Sequence, residues 1–261
     1  MAREKKGKFW IGTSGWHYDH WKGPFYPRDI SSGEMLDYYI RTFRTVEINS
    51  SFYRLPSPET WSAWRESAPT GFLFSCKASR YITHMKKLKD PDAGLTRFLG
   101  SARKLGDRLG PILFQLPPRW KANPDRLRDF VGSLPSDHLY AFEFRDPTWF
   151  QDPVFHVLSD AGVAFCISQI EGVLSPREVT AGFVYIRLHG PGKAYQGKYA
   201  GDELAGWAVA MSTWARTGRD IFCYFDNDEK GYAAINAREL QEMLQVTAIN
   251  REDGHPGTSR P

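Results

Sequence analysis

Short apolar segments recur along the whole chain, and each of them ends in polar residues. Stretches with the apolar spacing of helices separate most of these segments. The segments begin at Lys8, Phe43, Phe72, Pro111, Tyr140, Val163, Phe183 and Asp220. Strands that alternate with helices pair in parallel, and eight such units in about 240 residues fit a (β/α)8 barrel.

An open, doubly wound sheet is the main alternative to a barrel. That architecture typically carries a glycine-rich phosphate-binding turn, but no G-x-G-x-x-G pattern follows a predicted strand and no Walker lysine loop is present. We therefore predict a single α/β domain, a (β/α)8 TIM-type barrel. Its helix after the sixth strand is expected to be short or missing, because only the segment SPREV from Ser175 is available there.

Three predicted helices begin with a capping residue followed by proline. The three pairs are Ser57–Pro58, Asn123–Pro124 and Asp152–Pro153. The predicted barrel spans residues 9–248. Residues 1–8 are expected to form a flexible N-terminus, and residues 249–261 a disordered C-terminal tail.

Composition sets loose limits on location and partners. The formal net charge is +4, which allows an anionic partner but also suits an ordinary protein. No apolar run reaches the length of a signal peptide core or a membrane span, so we expect a cytoplasmic protein with no membrane partner. The cysteines Cys76, Cys166 and Cys223 lie far apart in apolar segments and are expected to be reduced and buried. The oligomeric state stays open.

The segment YAFEFRD, which begins at Tyr140, combines aromatic and ionisable residues in one strand. Side chains alternate between the two faces of a strand, so Glu143 and Arg145 share one face while Phe142 and Phe144 share the other. In a barrel, the aromatic face packs against the helices. The acid and the base then point into the barrel, near the carboxyl end of the strand.

The same alternation in the other strands directs further polar groups to the same end of the barrel. The predicted inward set is Glu47, Asn49, Lys77, Gln115, Glu143, Arg145, Arg187, His189 and Asp226. Barrel enzymes place their chemistry at this C-terminal mouth. An ion-pair network that only fills the barrel is the alternative, but removing each ion from water costs several kcal/mol, so a purely structural role would favour apolar residues.

An anionic ligand is the favoured partner of this mouth. Arginines bind phosphate or carboxylate in a bidentate manner, and aromatic loops suit a ring. The predicted ligand-contacting residues are Trp16, Asn49, Tyr53, Lys77, Gln115, Arg145 and Arg187. The ligand is expected to be a nucleotide, a nucleic-acid end or a phosphosugar. The basic loop 79–90 either steers such an anion or is simply solvated.

The predicted activity is that of a hydrolase or lyase. The predicted catalytic residues are Glu47, Glu143, His189 and Asp226. Glu47 or His189 would act as general base, and we expect His189 to contact Asp226 and to keep one ring nitrogen free for a ligand. Ser14 is not favoured as a nucleophile, because a turn at the strand end explains the glycines around it. The alternative is a binding module for nucleic acid or nucleotides without catalysis, in which every acid is paired.

Two other chemistries are weighed against these residues. Glycoside hydrolysis needs two carboxyl groups, which Glu47 and Glu143 could supply, but Arg145 should keep Glu143 ionised. A divalent metal could use the predicted acids and His189, yet the nearby cations oppose it. No cofactor is therefore predicted, and a divalent metal stays the alternative.

Several motifs resemble the YecE-like family, known as domain of unknown function 72. They include IGTSGWHYDHWKGPFYP, VEINSSFYRLP, FSCKASRYITHMKKLKD, AFEFRDPTWF, YIRLHGP and YFDNDEKGYAAINA, and the likeness covers residues 9–245 or so. The resemblance implies a TIM barrel and a mainly bacterial family, and it implies no activity. A metal-dependent alternative would resemble the endonuclease IV and xylose isomerase group. The family often has Asp near the end of the sixth strand, where this chain has Ser168 and Gln169.

Overall fold

The computed structural model describes residues 6–245. The predicted tail 249–261 and residues 1–5 of the predicted flexible N-terminus lie outside this range. Within the described part of that N-terminus, Gly7 N donates to Ala215 O at 2.9 Å. Lys8 N donates to Asp220 Oδ1 at 2.7 Å, so these two residues are held against the body of the protein.

Eight parallel strands form a nearly closed barrel, which confirms the predicted fold. The strands are β1 (Phe9–Thr13), β2 (Thr45–Ile48), β3 (Leu73–Lys77), β4 (Leu109–Gln115), β5 (Tyr140–Glu143), β6 (Ala164–Ile170), β7 (Val173–Leu174), β8 (Phe183–Leu188) and β9 (Asp220–Phe225). Their order around the barrel is β1-β9-β8-β6-β5-β4-β3-β2, and the two-residue β7 pairs antiparallel with β6 outside this order.

Helices surround the barrel. They are α1 (Met35–Tyr39), α2 (Ser50–Tyr53), α3 (Pro58–Ser67), α4 (Pro91–Ala102), α5 (Pro124–Gly132), α6 (Asp152–Asp160), α7 (Gly201–Arg216) and α8 (Tyr232–Leu244). Between β6 and β8, where every residue is described, the chain forms the small β6–β7 hairpin and no helix. The missing helix after the sixth strand is therefore confirmed.

Two of the three predicted helix caps form. Ser57 Oγ accepts a hydrogen bond from Thr60 N at 3.3 Å, and Asn123 Oδ1 accepts one from Arg126 N at 2.9 Å. The third prediction is wrong in detail, because α6 begins at Asp152 itself. At that position the carboxylate lies in the first helical turn, where the positive end of the helix dipole favours it.

The barrel wall separates two apolar layers, as the alternation predicts. Val46, Ile48, Phe142 and Phe144 belong to the outer layer, between strands and helices. The inner layer fills the lower part of the barrel and comprises Trp10, Leu113, Ala141, Ala164, Cys166, Phe183, Tyr185, Phe222 and Tyr224. The inward polar residues follow these along each strand, so they lie above an apolar plug. The three cysteines are free and buried, as predicted.

The barrel closes between β1 and β2 through few direct contacts. Gly15 N donates to Glu47 O at 2.8 Å. Below this point the hydroxyl of Tyr39 joins the strands, accepting from Thr13 N at 2.9 Å and lying 3.1 Å from Thr45 O. The Tyr39 hydroxyl thus replaces part of the backbone hydrogen bonding between β1 and β2. Among residues 6–245, no helix has the length and apolar composition that crossing a membrane requires.

Candidate functional site

Arg187 on β8 lies at the centre of the predicted inward set and is completely buried. Its guanidinium contacts carboxylates from three other parts of the barrel. Nη2 lies 2.7 Å from Glu47 Oε1 and 3.0 Å from Asp226 Oδ2, and Nη1 lies 2.8 Å from Glu143 Oε2. These contacts confirm that the predicted inward acids and this arginine converge.

Glu47 is held by more than the guanidinium of Arg187. Tyr185 donates its hydroxyl to Glu47 Oε2 at 2.6 Å, and Ser14 Oγ donates to Oε1. Ser14 Oγ itself accepts from Arg187 Nη2 at 2.9 Å and from Asn49 Nδ2 at 2.6 Å. Ser14 Oγ is therefore hydrogen-bonded to three side chains of the cluster.

Glu143 and Arg145 form the close pair predicted from their shared strand face. Arg145 Nε lies 2.5 Å from Glu143 Oε1, although its orientation does not make a hydrogen bond. Burial works to raise the pKa of Glu143, but Arg145 and Arg187 hold this pKa well below its usual range. Glu143 is therefore ionised near neutral pH and cannot supply the proton that a glycosidase acid must donate.

His189 uses both of its ring nitrogens inside the protein. Nδ1 lies 2.9 Å from Asp226 Oδ2, which confirms the predicted contact with an acid. Nε2 lies 3.1 Å from Arg145 Nη2, 3.2 Å from Arg187 Nη1 and 3.2 Å from Glu143 Oε1. The prediction of a free ring nitrogen is wrong, since the residue is completely buried and four side chains surround the ring.

Asp226 holds the His189 ring through Nδ1, while Nε2 faces the guanidinium groups of Arg145 and Arg187 and the carboxylate of Glu143. Burial tends to raise the pKa of Asp226, but Arg187 and the bond to His189 keep this pKa below its ordinary value. Asp226 therefore stays ionised and fixes the orientation of the ring.

Lys77 at the end of β3 differs from the other cations of the mouth. It is 8% exposed, and its Nζ makes no hydrogen bond or ion pair to another residue in the range 6–245. Nζ lies 4.3 Å from the centre of the Phe52 ring. Burial, reinforced by the positive charge of Arg187, lowers the pKa of Lys77 to about 8. A lysine with this pKa is partly neutral near pH 7.5.

His84 is a mouth residue that the sequence analysis treated only as part of a basic loop. It lies in the π-helical turn Tyr81–Met85, and its ring packs edge-on against Phe52 at a centroid distance of 5.0 Å. Partial burial, followed by the charges of Lys77, Arg80 and Arg145, lowers the pKa of His84 to about 4. The imidazole is thus neutral at pH 7. No sequence pattern marks this position, because the loop conformation alone brings it to Phe52.

Tyr195 is a second mouth residue whose role depends on loop structure. Its ring packs edge-on against His189 at 5.7 Å, and 45% of the residue is exposed. Its backbone N donates to His189 O, and its φ of 64° is unusual for a residue other than glycine. Tyr195 therefore covers the buried imidazole and offers an exposed aromatic face.

Of the remaining predicted ligand contacts, Asn49 bonds to Ser14 at the side of the ion cluster, and the others lie around it. Gln115 is half-buried at the end of β4, next to Glu143 in strand register. Trp16 packs edge-on against Trp64 in the outer core and, with Asn49, lines a cavity of about 540 Å³. Tyr53 is 71% exposed and lines a separate cavity of about 400 Å³.

Most aromatic residues of the loops are packed inside the protein. Trp21, Trp149 and Tyr199 are buried almost completely, so they are structural and do not present their faces at the mouth. A ring of a ligand would instead meet Phe52 at its edge and Tyr195. Fewer aromatic rings of the loops therefore face the mouth than the sequence predicts.

The acids of the mouth are not arranged as a metal centre. Among residues 6–245, no group of three or more His, Cys, Asp or Glu side chains could hold a metal ion. The carboxylates that converge do so on the guanidinium of Arg187, which occupies the place where a cation would sit. The described donor set thus suits a buried arginine better than a divalent ion.

One protein-family model matches nearly the whole chain. The family model described as "Protein of unknown function DUF72" matches residues 10–259. This chain belongs to the DUF72 family. The description of the DUF72 family names no activity.

Two curated relatives match the DUF72 chain, one over most of its length and one over about half of it. It is 25% identical to the UPF0759 protein YunF of Bacillus subtilis, over 91% of this chain and 95% of that protein. It is 33% identical to the UPF0759 protein YecE of Escherichia coli, over 54% of this chain and 50% of that protein.

Solved structures of DUF72 proteins have the same fold. One from Thermotoga maritima is 28% identical and superposes with a TM-score of 0.83, covering 91% of this chain and 99% of that one. One from Enterococcus faecalis is 20% identical with a TM-score of 0.77, covering 92% of this chain and 96% of that one. At that identity the second likeness concerns the fold alone.

Proposed function

We propose that this DUF72 protein binds an anionic, ring-bearing small molecule at the C-terminal mouth of the barrel and acts on it as a hydrolase or lyase. The observation that carries the proposal is that the three cations of the mouth differ in burial and in their contacts with carboxylates. Arg187 is completely buried among Glu47, Glu143 and Asp226, whereas Lys77 and Arg145 lie at the outer side of the cluster with small exposed areas.

Arg145 is well placed to receive an anionic group. It contacts Glu143 through Nε and His189 through Nη2. Its Nη1 makes no hydrogen bond to any other residue that the structure describes. A guanidinium held in place on one side and free on the other can bind phosphate or carboxylate with little loss of side-chain entropy.

The surroundings of Arg145 suit a ring attached to that anion. Tyr195 presents an exposed aromatic face above His189, and Phe52 lies beneath Lys77. Rings stack on such faces without sequence-specific contacts. Nucleotides, nucleic-acid ends and phosphosugars share the required combination of a ring and a negative charge.

The paired state of the acids changes the predicted catalytic roles. Glu143 and Asp226 are ionised and bonded to cations, and His189 is buried with both nitrogens engaged. We propose that they position Arg145 and do not transfer protons. Proton transfer then falls to Lys77 and His84, whose lowered pKa values favour the neutral, proton-accepting forms.

A binding module without catalysis is the second candidate. This candidate is supported by the finding that every acid of the cluster contacts a cation. The two candidates predict the same ligand site and differ only in turnover. Nucleic acid as the ligand would add a steep loss of affinity with salt, because each neutralised phosphate releases counterions.

Calorimetric titration with inorganic phosphate, AMP and a 5′-phosphorylated oligonucleotide tests the proposal. We expect Arg145→Gln to weaken binding of AMP at least about tenfold, since it removes a charge-assisted contact. Arg128→Gln is the matched control, because Arg128 is exposed on α5 and, within residues 6–245, forms an ion pair with Asp125 alone. Equal affinities of the two variants and the parent protein would contradict the anion site. Product analysis of the same mixtures separates turnover from binding.

A further inference from the structure

We infer that the side-chain amine of Lys77 forms a covalent imine with the carbonyl carbon of an anionic aldehyde or ketone. The inference rests on the proposed anion site at Arg145, and it names the reactive group that the bound molecule carries. Of the two proposed reaction classes, an imine indicates a lyase that breaks a carbon–carbon or carbon–hydrogen bond, and not a hydrolase.

The position of Lys77 separates it from lysines that serve as surface charges. Lys22, Lys86, Lys121 and Lys198 each lie within ion-pair distance of a carboxylate and are 30% to 75% exposed at the side chain. Lys77 is 8% exposed and has no carboxylate at that distance. A buried amine without a counter-ion is favoured in its neutral form, which is the nucleophilic one.

The strand geometry points this amine at the mouth. Lys77 is the last residue of β3, on the inward face, so it follows the buried Ser75 along the barrel wall. The ring of Phe52 lies 4.3 Å from Nζ and forms an apolar wall on one side. The loop after β3 brings the neutral imidazole of His84 to the same ring.

The charged groups that face Lys77 oppose each other. Burial and Arg187 on β8 favour the neutral amine. The carboxylates Glu143, Glu47 and Asp226 favour the ammonium, but they are already bound to Arg187. His84, on the loop after β3, is neutral at pH 7 and adds no charge.

Formation of the imine from the neutral amine balances in atoms and electrons. The lone pair of neutral Nζ forms a bond to the carbonyl carbon, and the carbonyl π electrons move to oxygen, which takes up one of the two protons of the amine nitrogen. The resulting carbinolamine loses its hydroxyl group as water after a second proton transfer, and the iminium remains. In sum, an amine, a carbonyl and one proton from solvent give an iminium and one water. The electron pair of a neighbouring C–H bond can then move toward the iminium nitrogen while the proton passes to His84, which gives a neutral enamine. For a neighbouring C–C bond, the fragment leaves as a carbonyl compound and its hydroxyl proton passes to His84.

His84 is suited to the proton transfers in this sequence. Its pKa of about 4 makes it an acceptor at neutral pH, and its Nδ1 is 2.9 Å from Thr83 Oγ1. The other ring nitrogen makes no hydrogen bond to a described residue. His84 is therefore a proton acceptor that packs on the same Phe52 ring as the amine, while the guanidinium of Arg145 would hold the anionic group of the same molecule.

Reductive trapping with pyridoxal 5′-phosphate tests the inference, since this probe combines a ring, a phosphate and an aldehyde. The full chain is incubated with the probe, reduced with sodium borohydride and digested, and labelled lysines are quantified by mass spectrometry. We expect labelling of Lys77 at least about tenfold above that of Lys86, because a lowered pKa supplies more free amine at pH 7.5. Lys77→Arg should remove this label and leave that of Lys86 unchanged.

Two analogues separate the imine from the anion site. Pyridoxal lacks the phosphate and should label Lys77 less than pyridoxal 5′-phosphate does. The Arg145→Gln substitution should lower labelling by pyridoxal 5′-phosphate by the same factor, because both changes remove the contact between Arg145 and the phosphate. Pyridoxine 5′-phosphate lacks the aldehyde and should bind without being trapped. If it binds in an Arg145-dependent manner while Lys77 is labelled no more than Lys86, the imine is overturned and the anion site stands. If it does not bind at all, the proposed anion site fails for this class of ligand.

Discussion

Arg187 carries one positive charge and contacts three carboxylates, so the charge balance of the mouth depends on its neighbours. Arg145 and Lys77 supply the two further positive charges that offset Glu47, Glu143 and Asp226 together. When Lys77 is neutral, the group carries one excess negative charge. Binding of an anion therefore favours a positive nitrogen at Lys77, either as ammonium or as iminium.

At the scale of a single residue, Glu143→Gln tests the buried pairs. The substitution leaves Arg187 and Arg145 with one carboxylate fewer in a site that excludes water. We expect a loss of about 3–5 kcal/mol in the free energy of unfolding, the usual cost of breaking a buried pair on one side. Urea unfolding at pH 7 measures it. Asp125→Asn, which breaks an exposed pair on α5, is the control and should change stability by less than about 1 kcal/mol. Equal stability of Glu143→Gln and the parent would contradict the buried-pair interpretation.

Lys77 makes a second prediction at this scale, on the dependence of stability on pH. Its folded pKa of about 8 lies below its unfolded value near 10.5, so the unfolded chain binds more protons between these two pH values. Stability should therefore rise with pH across this window, by up to about 3 kcal/mol from this residue. Lys77→Met should lack that rise, and at pH 7 it should be at least as stable as the parent. Unfolding of both proteins at pH 7 and 10 gives the comparison. Parallel pH profiles would show that Lys77 titrates normally.

At the scale of elements, β1 needs a glycine where it meets β2. A Cβ on Gly12 would lie 2.2 Å from the backbone oxygen of Thr45, which no side-chain movement can relieve. We expect Gly12→Ala to cost about 1–3 kcal/mol, measured by urea unfolding. Gly100 in α4 is the matched control, since a Cβ there has no atom within 4 Å and alanine is the better helix former. A loss of stability in Gly100→Ala as large as in Gly12→Ala would contradict this account.

The elements themselves follow from short-range physics that the sequence displays. A strand alternates its side chains whatever it packs against, so the inward positions of Glu143, Arg145 and Arg187 could be predicted from spacing alone. Helix α3 could be predicted from Ser57 and the proline after it. The loop turns could not, because the placement of His84 depends on a π-helical turn with no sequence signature.

At the scale of the whole molecule, closing the barrel creates the site. Ser14, Glu47, Glu143, Arg187 and Asp226 are far apart in sequence, and only the parallel order of the strands brings their ends to one mouth. The Tyr39 hydroxyl completes this closure between β1 and β2. The ion cluster is thus a property of the closed barrel and not of any one segment.

The sequence by itself determined the barrel, the inward and outward faces of its strands, and the identity of the ionisable residues that the strands carry to the mouth, because these depend on alternation and on the order of the elements. Only the tertiary structure decided how those residues pair. It placed three acids on Arg187, engaged both nitrogens of His189 and left Lys77 without a carboxylate. The physical reason is that ion pairing depends on distances of a few ångströms between different strands, and strand alternation sets a side chain's direction without setting which charge it meets.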